Sequence, residues 1–349
     1  MKTWLDYYKQ KQLVLTIEAS TTCNAACPQC NRFYQGSEEL INWLVQDVWT
    51  LDKFISFFPP HVVQHTRVMH FSGTYGDPGT VPEFVEIVKY IRESSPETSI
   101  CMSTNGSLRD EQFWWDLGVA GGEKLTVIFA VDGISQETHS RYRRHTQLNQ
   151  VLKNLETIAQ TKATVSVFTV LFEHNINELD QIKEMTRELG AVKWDSVISN
   201  RFSHNPITVF KNKKGGAVEL KPSPVKILSK SDGRKVVDRQ EWKEVKRETH
   251  TIECSWNKRG ELNISFDGFV WPCCYLEYAG RNEINKAENL PPYVPLKMRD
   301  LVDRKEDFNL NNKSLLDIVS DRFYTHTLFE SLEIGKSDPR CSMFCYKKK

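Results

Sequence analysis

From residue 13 to about 200, short apolar runs alternate with segments whose apolar residues recur every three or four positions. Leu13-Val14-Leu15-Thr16-Ile17 is rich in strand formers and predicts a first strand. Leu40, Leu44, Val48, Leu51 and Ile55 share one face of a predicted helix that Pro59-Pro60 stops. Val68-Met69-His70-Phe71 predicts the next strand, and Pro82 opens a helix carrying Phe84, Ile87, Val88 and Ile91. A strand at 99–102, a helix at 110–117 and a strand at 126–131 follow. Leu148, Val151, Leu152, Leu155 and Ile158 mark another helix. A strand at 165–171, a helix at 179–189 and a strand at 194–198 close the series.

This alternation implies an α/β fold with a parallel sheet and crossover helices. About six strands are too few for a full eight-stranded barrel, so an open sheet or a partial barrel is expected. In either, loops at the C-terminal strand ends build the site. Strand one runs into a cysteine cluster, and strand two into Ser72-Gly73-Thr74-Tyr75-Gly76-Asp77-Pro78. Strand three ends in Ser103-Thr104-Asn105-Gly106 and strand four in Asp132-Gly133. All four ends are polar or glycine-rich, as a shared site requires.

The texture then changes. Residues 211–250 hold 12 Lys/Arg against 6 Asp/Glu and include Gly215-Gly216, Pro222 and Pro224. The stretch 205–253 reads as a basic linker or excursion, and its charge as a solvated loop. Beyond it, Leu262-Asn263-Ile264-Ser265-Phe266 alternates, Asp267-Gly268 turns and Phe269-Val270-Trp271 returns, which predicts a hairpin. A helix is expected near 314–320, and Lys347–Lys349 reads as a solubilising tail.

Bulk composition narrows the class. A hydrophobic share of 40%, a charged share of 26% and a net charge of +1 are ordinary for a protein with a real core. They give no support to nucleic-acid binding. No apolar run approaches the ~20 residues of a membrane span, and the first residues lack the apolar core of a signal peptide. A cytoplasmic location is expected. There, nine cysteines point to metal or catalysis more than to disulfides. They fall at 23–30, 101, 254–274 and 341–345, so two separate metal sites are expected. No Gly-x-x-x-x-Gly-Lys phosphate loop and no Ser–His–Asp signature is present.

Cys23-x3-Cys27-x2-Cys30 sits directly after a strand. Three thiolates this close suit three irons of a cubane cluster and leave the fourth iron open; a zinc site or unrelated thiols are the other readings of the residues alone. The spacing and position resemble the signature of the radical S-adenosylmethionine (SAM) superfamily. The resemblance implies a partial (β/α)6 TIM-like barrel and a [4Fe–4S] cluster whose open iron is chelated by SAM. It also implies reductive cleavage of SAM to a 5′-deoxyadenosyl radical that takes hydrogen from substrate. It covers roughly residues 10–200. Tyr75-Gly76-Asp77-Pro78 resembles the family's GGEP segment, which meets the SAM amino group. Thr104-Asn105-Gly106 resembles the family's strand-three end, often near SAM or substrate, which implies Ser103 and Asn105 as cofactor contacts. Ala130-Val131-Asp132-Gly133 and the following Arg143-Arg144 resemble the strand-four region, which implies Asp132 at ribose hydroxyls and an arginine at the SAM carboxylate. The chain departs from the family pattern at Gln29, Tyr75, Asp77 and Ala130; with Gln29 in place of an aromatic residue, Phe33 is available for adenine packing.

Cys254-x13-Gly268-x4-Cys273 resembles the opening of the SPASM and twitch auxiliary-cluster domains. Five cysteines from 254 onward suffice for one cluster, not two, so the twitch form is expected, a small C-terminal β-hairpin/helix domain. Its implied ligands are Cys254, Cys273, Cys341 and Cys345; a four-cysteine zinc site is the alternative. Cys274 and Cys101 read as inert thiols, with Cys101 the candidate hydrogen-atom donor. The expected division is 1–204 for the partial barrel, 205–253 for the excursion and 254–349 for the auxiliary domain. The expected partners are SAM, a small-molecule or peptide substrate, and an electron donor such as flavodoxin or ferredoxin. A zinc-stabilised binding protein and an iron–sulfur electron carrier are the competing functional readings.

Overall fold

The structure is a computed structural model. It describes residues 1–349 except 35, 200, 203–206, 212–215, 225–249, 285–295, 333–340, 342–344 and 349. Helix α1 (Trp4–Lys9) precedes the alternating series. The strands are β1 (Leu13–Ile17), β2 (Thr66–Phe71), β3 (Ser99–Thr104), β4 (Leu125–Ala130), β5 (Thr164–Leu171) and β6 (Lys193–Ile198). Between them lie α2 (Leu51–Phe57), α3 (Pro60–Gln64), α4 (Phe84–Ser94), α5 (Glu111–Gly121), α6 (Gln136–Tyr142), α7 (Leu148–Ala159) and α8 (Leu179–Glu188). The expected α/β series is therefore present. Among the described residues, no helix is long and apolar enough to cross a membrane.

The chain divides into two compact units. One comprises Met1–Ile17, Asp52–Met69 and Lys235–Lys349; the other comprises Glu18–Leu51 and His70–Arg234. In the second unit β3, β4, β5 and β6 form a parallel ladder in that order, with Cys101 opposite Thr126 and Phe168 opposite Asp195. Ile100, Met102 and Thr104 are buried on one face of β3, and Cys101 and Ser103 lie on the other, partly exposed. Helix α4 buries Phe84, Ile87, Val88 and Ile91, and α7 buries Leu148, Val151, Leu155 and Ile158, as their periodicity predicts.

The helix expected across 40–55 begins only at Leu51. The backbone upstream is spent elsewhere: Thr21 N donates to Asp47 O at 2.9 Å and Trp49 N to Ala19 O at 2.9 Å. Ser20 and Val48 form an isolated antiparallel bridge, as do Phe33 and Leu40. Pairing with distant backbone thus overrides the local helical period. The excursion at 205–253 lies largely outside the described residues, but it contains a short antiparallel pair, β7 (Thr208–Lys211) and β8 (Ala217–Leu220).

In the first unit β9 (His250–Ile252) precedes the hairpin of β10 (Glu261–Ile264) and β11 (Val270–Trp271). Gly268 turns the hairpin with φ +84°, a conformation that favours glycine. β10 also pairs in parallel with β1. Flanked on both edges, β10 is buried at every position, not at alternate ones. Lys347 and Lys348 belong to β12 (Tyr346–Lys348), antiparallel to β9, so this segment is a strand and not a loose tail.

A buried ionic network fastens the hairpin to the helix Cys274–Ile284. Arg281 donates to both Asp267 oxygens at 2.6 Å and to Ser265 Oγ at 2.7 Å. Its Nε lies 3.5 Å from Glu277 Oε1, and Asn263 Nδ2 donates to the other Glu277 oxygen at 2.6 Å. Removing the cation strands the buried Glu277 carboxylate, while Asp267 keeps access to water. Arg281→Ala should lose about 3–5 kcal/mol, read as a lower denaturation midpoint at unchanged m-value; a loss below about 1 kcal/mol would show that the network is solvated.

Candidate active site

Cys23, Cys27 and Cys30 lie in the loop that follows β1 and are partly exposed free thiols. The loop is wound by its own backbone: Cys30 N donates to Cys27 O at 3.0 Å and Phe33 N to Cys30 O at 3.3 Å. Nitrogen donors point at two of the sulfurs. Ala25 N lies 3.3 Å and Asn105 Nδ2 3.6 Å from Cys23 Sγ, and Arg143 Nη1 lies 3.8 Å from Cys27 Sγ. Burial pushes the metal-free Cys27 thiol up to about 11, opposed by Arg143; burial also raises Cys23, aided by Asp77 and Cys27. Three soft sulfur ligands in one loop, with donors to spread thiolate charge, fit an iron–sulfur cluster.

The loop after β2 packs against this segment. Asp77 N donates to Thr22 O at 2.8 Å. A side-chain carbon at Gly76 would lie 2.1 Å from Ser20 O, so glycine is required there. Tyr75 is buried edge-on to Trp43, and Pro78 is buried at the start of a short 3-10 turn. The Asp77 carboxylate accepts from Gly79 N (2.8 Å), Thr104 Oγ1 (2.8 Å), Asn105 N (2.7 Å) and Asn105 Nδ2 (2.7 Å). It thereby joins the β2 loop to the end of β3. Ser103 Oγ meets His70 Nε2 at 2.8 Å.

Asn24 went unnoticed in the sequence. Its Oδ1 accepts from Asn105 Nδ2 at 2.9 Å and its Nδ2 donates to Ser107 Oγ at 2.8 Å. The available signal was its place beside the first cysteine, with a second amide at a strand end.

Asp132 is fully buried after β4. Arg143 Nε donates to Oδ2 and Val170 N to Oδ1, both at 2.5 Å. Its two oxygens are thus engaged by the protein. His139, also missed in the sequence, stands behind it: Nδ1 accepts from Asp132 N at 3.2 Å, and Nε2 meets Thr146 Oγ1 at 3.0 Å. Thr146 Oγ1 in turn donates to Arg143 O at 2.6 Å. Arg144 turns away to Glu38 at 3.2 Å, which also meets His145, while Arg144 O accepts from Ala26 N at 3.1 Å. The two neighbouring arginines therefore differ: Arg143 reaches a cysteine sulfur and Arg144 braces the loop. Cys101 stands mid-strand in β3, and burial holds its thiol up to about 12.

In the other unit Cys254, Cys273, Cys341 and Cys345 line one apolar cavity with Trp4, Pro272, Tyr275, Leu276, Leu328 and Leu332. Cys274 is not among its walls. Asn257 N donates to Cys254 Sγ and Leu276 N to Cys273 Sγ, each at 3.4 Å. Glu253 N donates to Cys345 O at 2.7 Å, extending the β9–β12 pairing to the thiols. Four cysteines from three distant places in the sequence thus line one apolar cavity.

Residues 17–186 match the family model of the Radical SAM superfamily, so this stretch, just under half of the chain, is a radical SAM domain. The AdoMet-dependent heme synthase of Methanosarcina barkeri is 28% identical over 120 residues, 34% of this chain and 33% of that protein. The GTP 3′,8-cyclase of Chlorobaculum tepidum is 28% identical over 192 residues, 51% of this chain and 54% of that protein. The chain thus spans between a third and about half of the length of these relatives. Among solved structures, Streptococcus suis SuiB bound to S-adenosylmethionine aligns with TM-score 0.53 at 12% identity, over 88% of this chain and 65% of that one. The protein anSMEcpe with bound AdoMet aligns with TM-score 0.55 at 16% identity, over 92% and 81%. These likenesses show the fold, the α/β partial barrel of radical SAM proteins.

Burial lowers His139 to about 4, so the folded protein holds it neutral where an unfolded chain would be protonated. Between about pH 6.5 and pH 4 the unfolded state binds the extra proton, and stability falls as pH falls. The loss should approach about 3 kcal/mol at the acid end. His139→Gln should flatten the stability profile in that window; an unchanged slope would assign the acid sensitivity to other groups.

Proposed function

We propose that this chain is a radical SAM enzyme with one auxiliary cluster. The arrangement that carries the reading is the Cys23/Cys27/Cys30 loop, with Asn105 and Arg143 donating to its sulfurs inside a radical SAM domain. The three cysteines would hold a [4Fe–4S] cluster with one iron left for SAM. When bound and reduced, this pair supplies a 5′-deoxyadenosyl radical that takes hydrogen from the substrate.

The protein's own residues position and enclose. The chain at Tyr75, Gly76, Asp77 and Pro78 offers backbone oxygens to the SAM amino group, and the Asp77 carboxylate keeps that turn locked to Thr104 and Asn105. Ser103, with His70, forms the polar edge of β3 beside it. Arg143 faces the SAM carboxylate. Asp132, with both oxygens engaged, holds Arg143 in place and leaves ribose to other groups. Arg144 fixes the cysteine loop through Ala26 and Glu38. Cys101 remains a thiol at neutral pH and is offered as a hydrogen-atom donor to a substrate radical.

Cys254, Cys273, Cys341 and Cys345 are assigned to a second [4Fe–4S] cluster in a twitch-like domain over 254–349, after a barrel domain over 1–204 and an excursion over 205–253. The substrate is a small metabolite or a peptide. The names of the relatives span that range, with heme synthesis, GTP cyclisation and a SuiB structure bound to its precursor peptide SuiA. An electron donor such as flavodoxin or ferredoxin would supply the electron to that cluster, and the cytoplasm would be the setting that keeps such thiols reduced.

Anaerobic reconstitution should give about eight irons per chain, falling to about four when Cys23, Cys27 and Cys30 are all changed to alanine. Only the wild type should form 5′-deoxyadenosine under dithionite. Loss of all iron in the triple variant would reassign the second site to zinc or to no metal. A colourless, zinc-loaded protein that forms no 5′-deoxyadenosine would end the enzyme reading.

A further inference from the structure

Arg32 lies two residues beyond Cys30, on the loop that carries all three thiols. Only 4% of it is exposed. Its Nη1 donates to Cys23 O at 3.3 Å, and its guanidinium carbon stands 5.3 Å from the centre of the Phe33 ring. Its Nε has no hydrogen-bond partner. None of the ion pairs among the described residues includes it. Of the buried carboxylates of this unit, Glu38 meets Arg144 and His145, Asp132 meets Arg143 and Val170, Asp77 meets Gly79, Thr104 and Asn105, and Glu18 accepts from Thr74 N through one oxygen at 3.0 Å.

A guanidinium cannot shed its proton to escape burial. A buried cation is retained where an anion meets it. Arg143 differs in this respect, since Asp132 cancels most of its charge before it reaches Cys27. Arg32 brings a positive charge to the loop, and among the described residues no carboxylate forms an ion pair with it. Three thiolates and the cluster they would bind form a net anion on that same loop.

We propose that Arg32 is the built-in counter-charge of the cluster held by Cys23, Cys27 and Cys30, and that it sets the cluster's reduction potential. The proposal rests on the radical SAM reading of this loop. Reduction adds negative charge, so a fixed cation beside the centre favours the reduced state, and its removal makes reduction harder. Arg32 acts through its charge and hydrogen bonds and touches no reacting atom of the substrate.

The test compares wild type, Arg32→Gln and Arg32→Lys after anaerobic reconstitution. Iron is counted, and the one-electron reduction is followed by electron paramagnetic resonance in a potentiometric titration, first without SAM and then with it. The glutamine variant should shift the reduction equilibrium at least about tenfold toward the oxidised cluster, a fall of about 59 mV in midpoint potential. The lysine variant keeps the charge and should stay within about threefold of wild type, or about 30 mV. An iron-replete glutamine variant with the wild-type potential overturns the proposal. So does an unchanged potential accompanied by weakened SAM binding, which would assign Arg32 to the SAM carboxylate. If the glutamine variant takes up no iron, the lysine variant decides. Full iron at the wild-type potential supports the counter-charge; a tenfold shift, or loss of iron again, overturns it. A wild type that binds no iron at this loop refutes the radical SAM reading itself, and the proposal falls with it.

Discussion

Asp77 receives four hydrogen bonds, from Gly79 N, Thr104 Oγ1 and both nitrogens of Asn105. Its own backbone nitrogen donates to Thr22. One residue thereby ties together the turn after β2, the end of β3 and the segment leading into the cysteine loop. Bonds to a carboxylate contribute about 1.5–3 kcal/mol each, and a stranded buried donor costs a similar amount. The thiol loop has little regular structure of its own, so this junction defines where it can lie. Asp132 repeats the device one strand later: it fixes Arg143 on one side and the backbone of Val170 on the other. The site is a set of loops made rigid by buried carboxyl groups.

The cations around that loop have separate duties because their partners differ. Arg144 is held by Glu38 and supports the backbone; Arg143 is held by Asp132 and reaches Cys27; Arg32 has no carboxylate partner in the described residues. The second set of thiols sits in the opposite electrostatic setting. Among the described residues its other walls are Trp4, Pro272, Tyr275 and leucines, with no charged side chain. A hydrogen bond to Cys345, and after it burial, raise the Cys254 thiol well above its ordinary range. A metal group there would replace protons on thiols that a dry pocket otherwise keeps neutral.

Much of this was legible in the sequence where the signal is local. The strand at Leu13–Ile17 and the helices whose apolar residues recur at Phe84–Ile91 and Leu148–Ile158 follow from periodicity. The Asp267-Gly268 turn follows from the φ that glycine permits. What escaped depended on partners far along the chain. The stretch 40–50 carries a helical period, yet its backbone pairs with residues 19–21. β10 alternates in sequence but is enclosed by β1 and β11. Asn24 and His139 resemble ordinary polar residues until Asn105 and Asp132 are placed beside them. Cys254 and Cys273 share a spacing around Gly268, but nothing local ties them to Cys341 and Cys345; resemblance suggested those four, and the fold brings them to one cavity.

The pairing of β9 with β12 places Cys254 and Cys345 at adjoining ends of a two-stranded ladder. A ribosome makes the chain from its amino end, so this ladder cannot close until Tyr346–Lys348 have emerged. The first thiol loop and the ends of β2, β3 and β4 that brace it lie before residue 176 and emerge much earlier, with Ser199 and Arg201 reaching Gln29 from later in the chain. The four thiols of the apolar pocket therefore gather later than the three of the first loop, which lie within eight residues of one another.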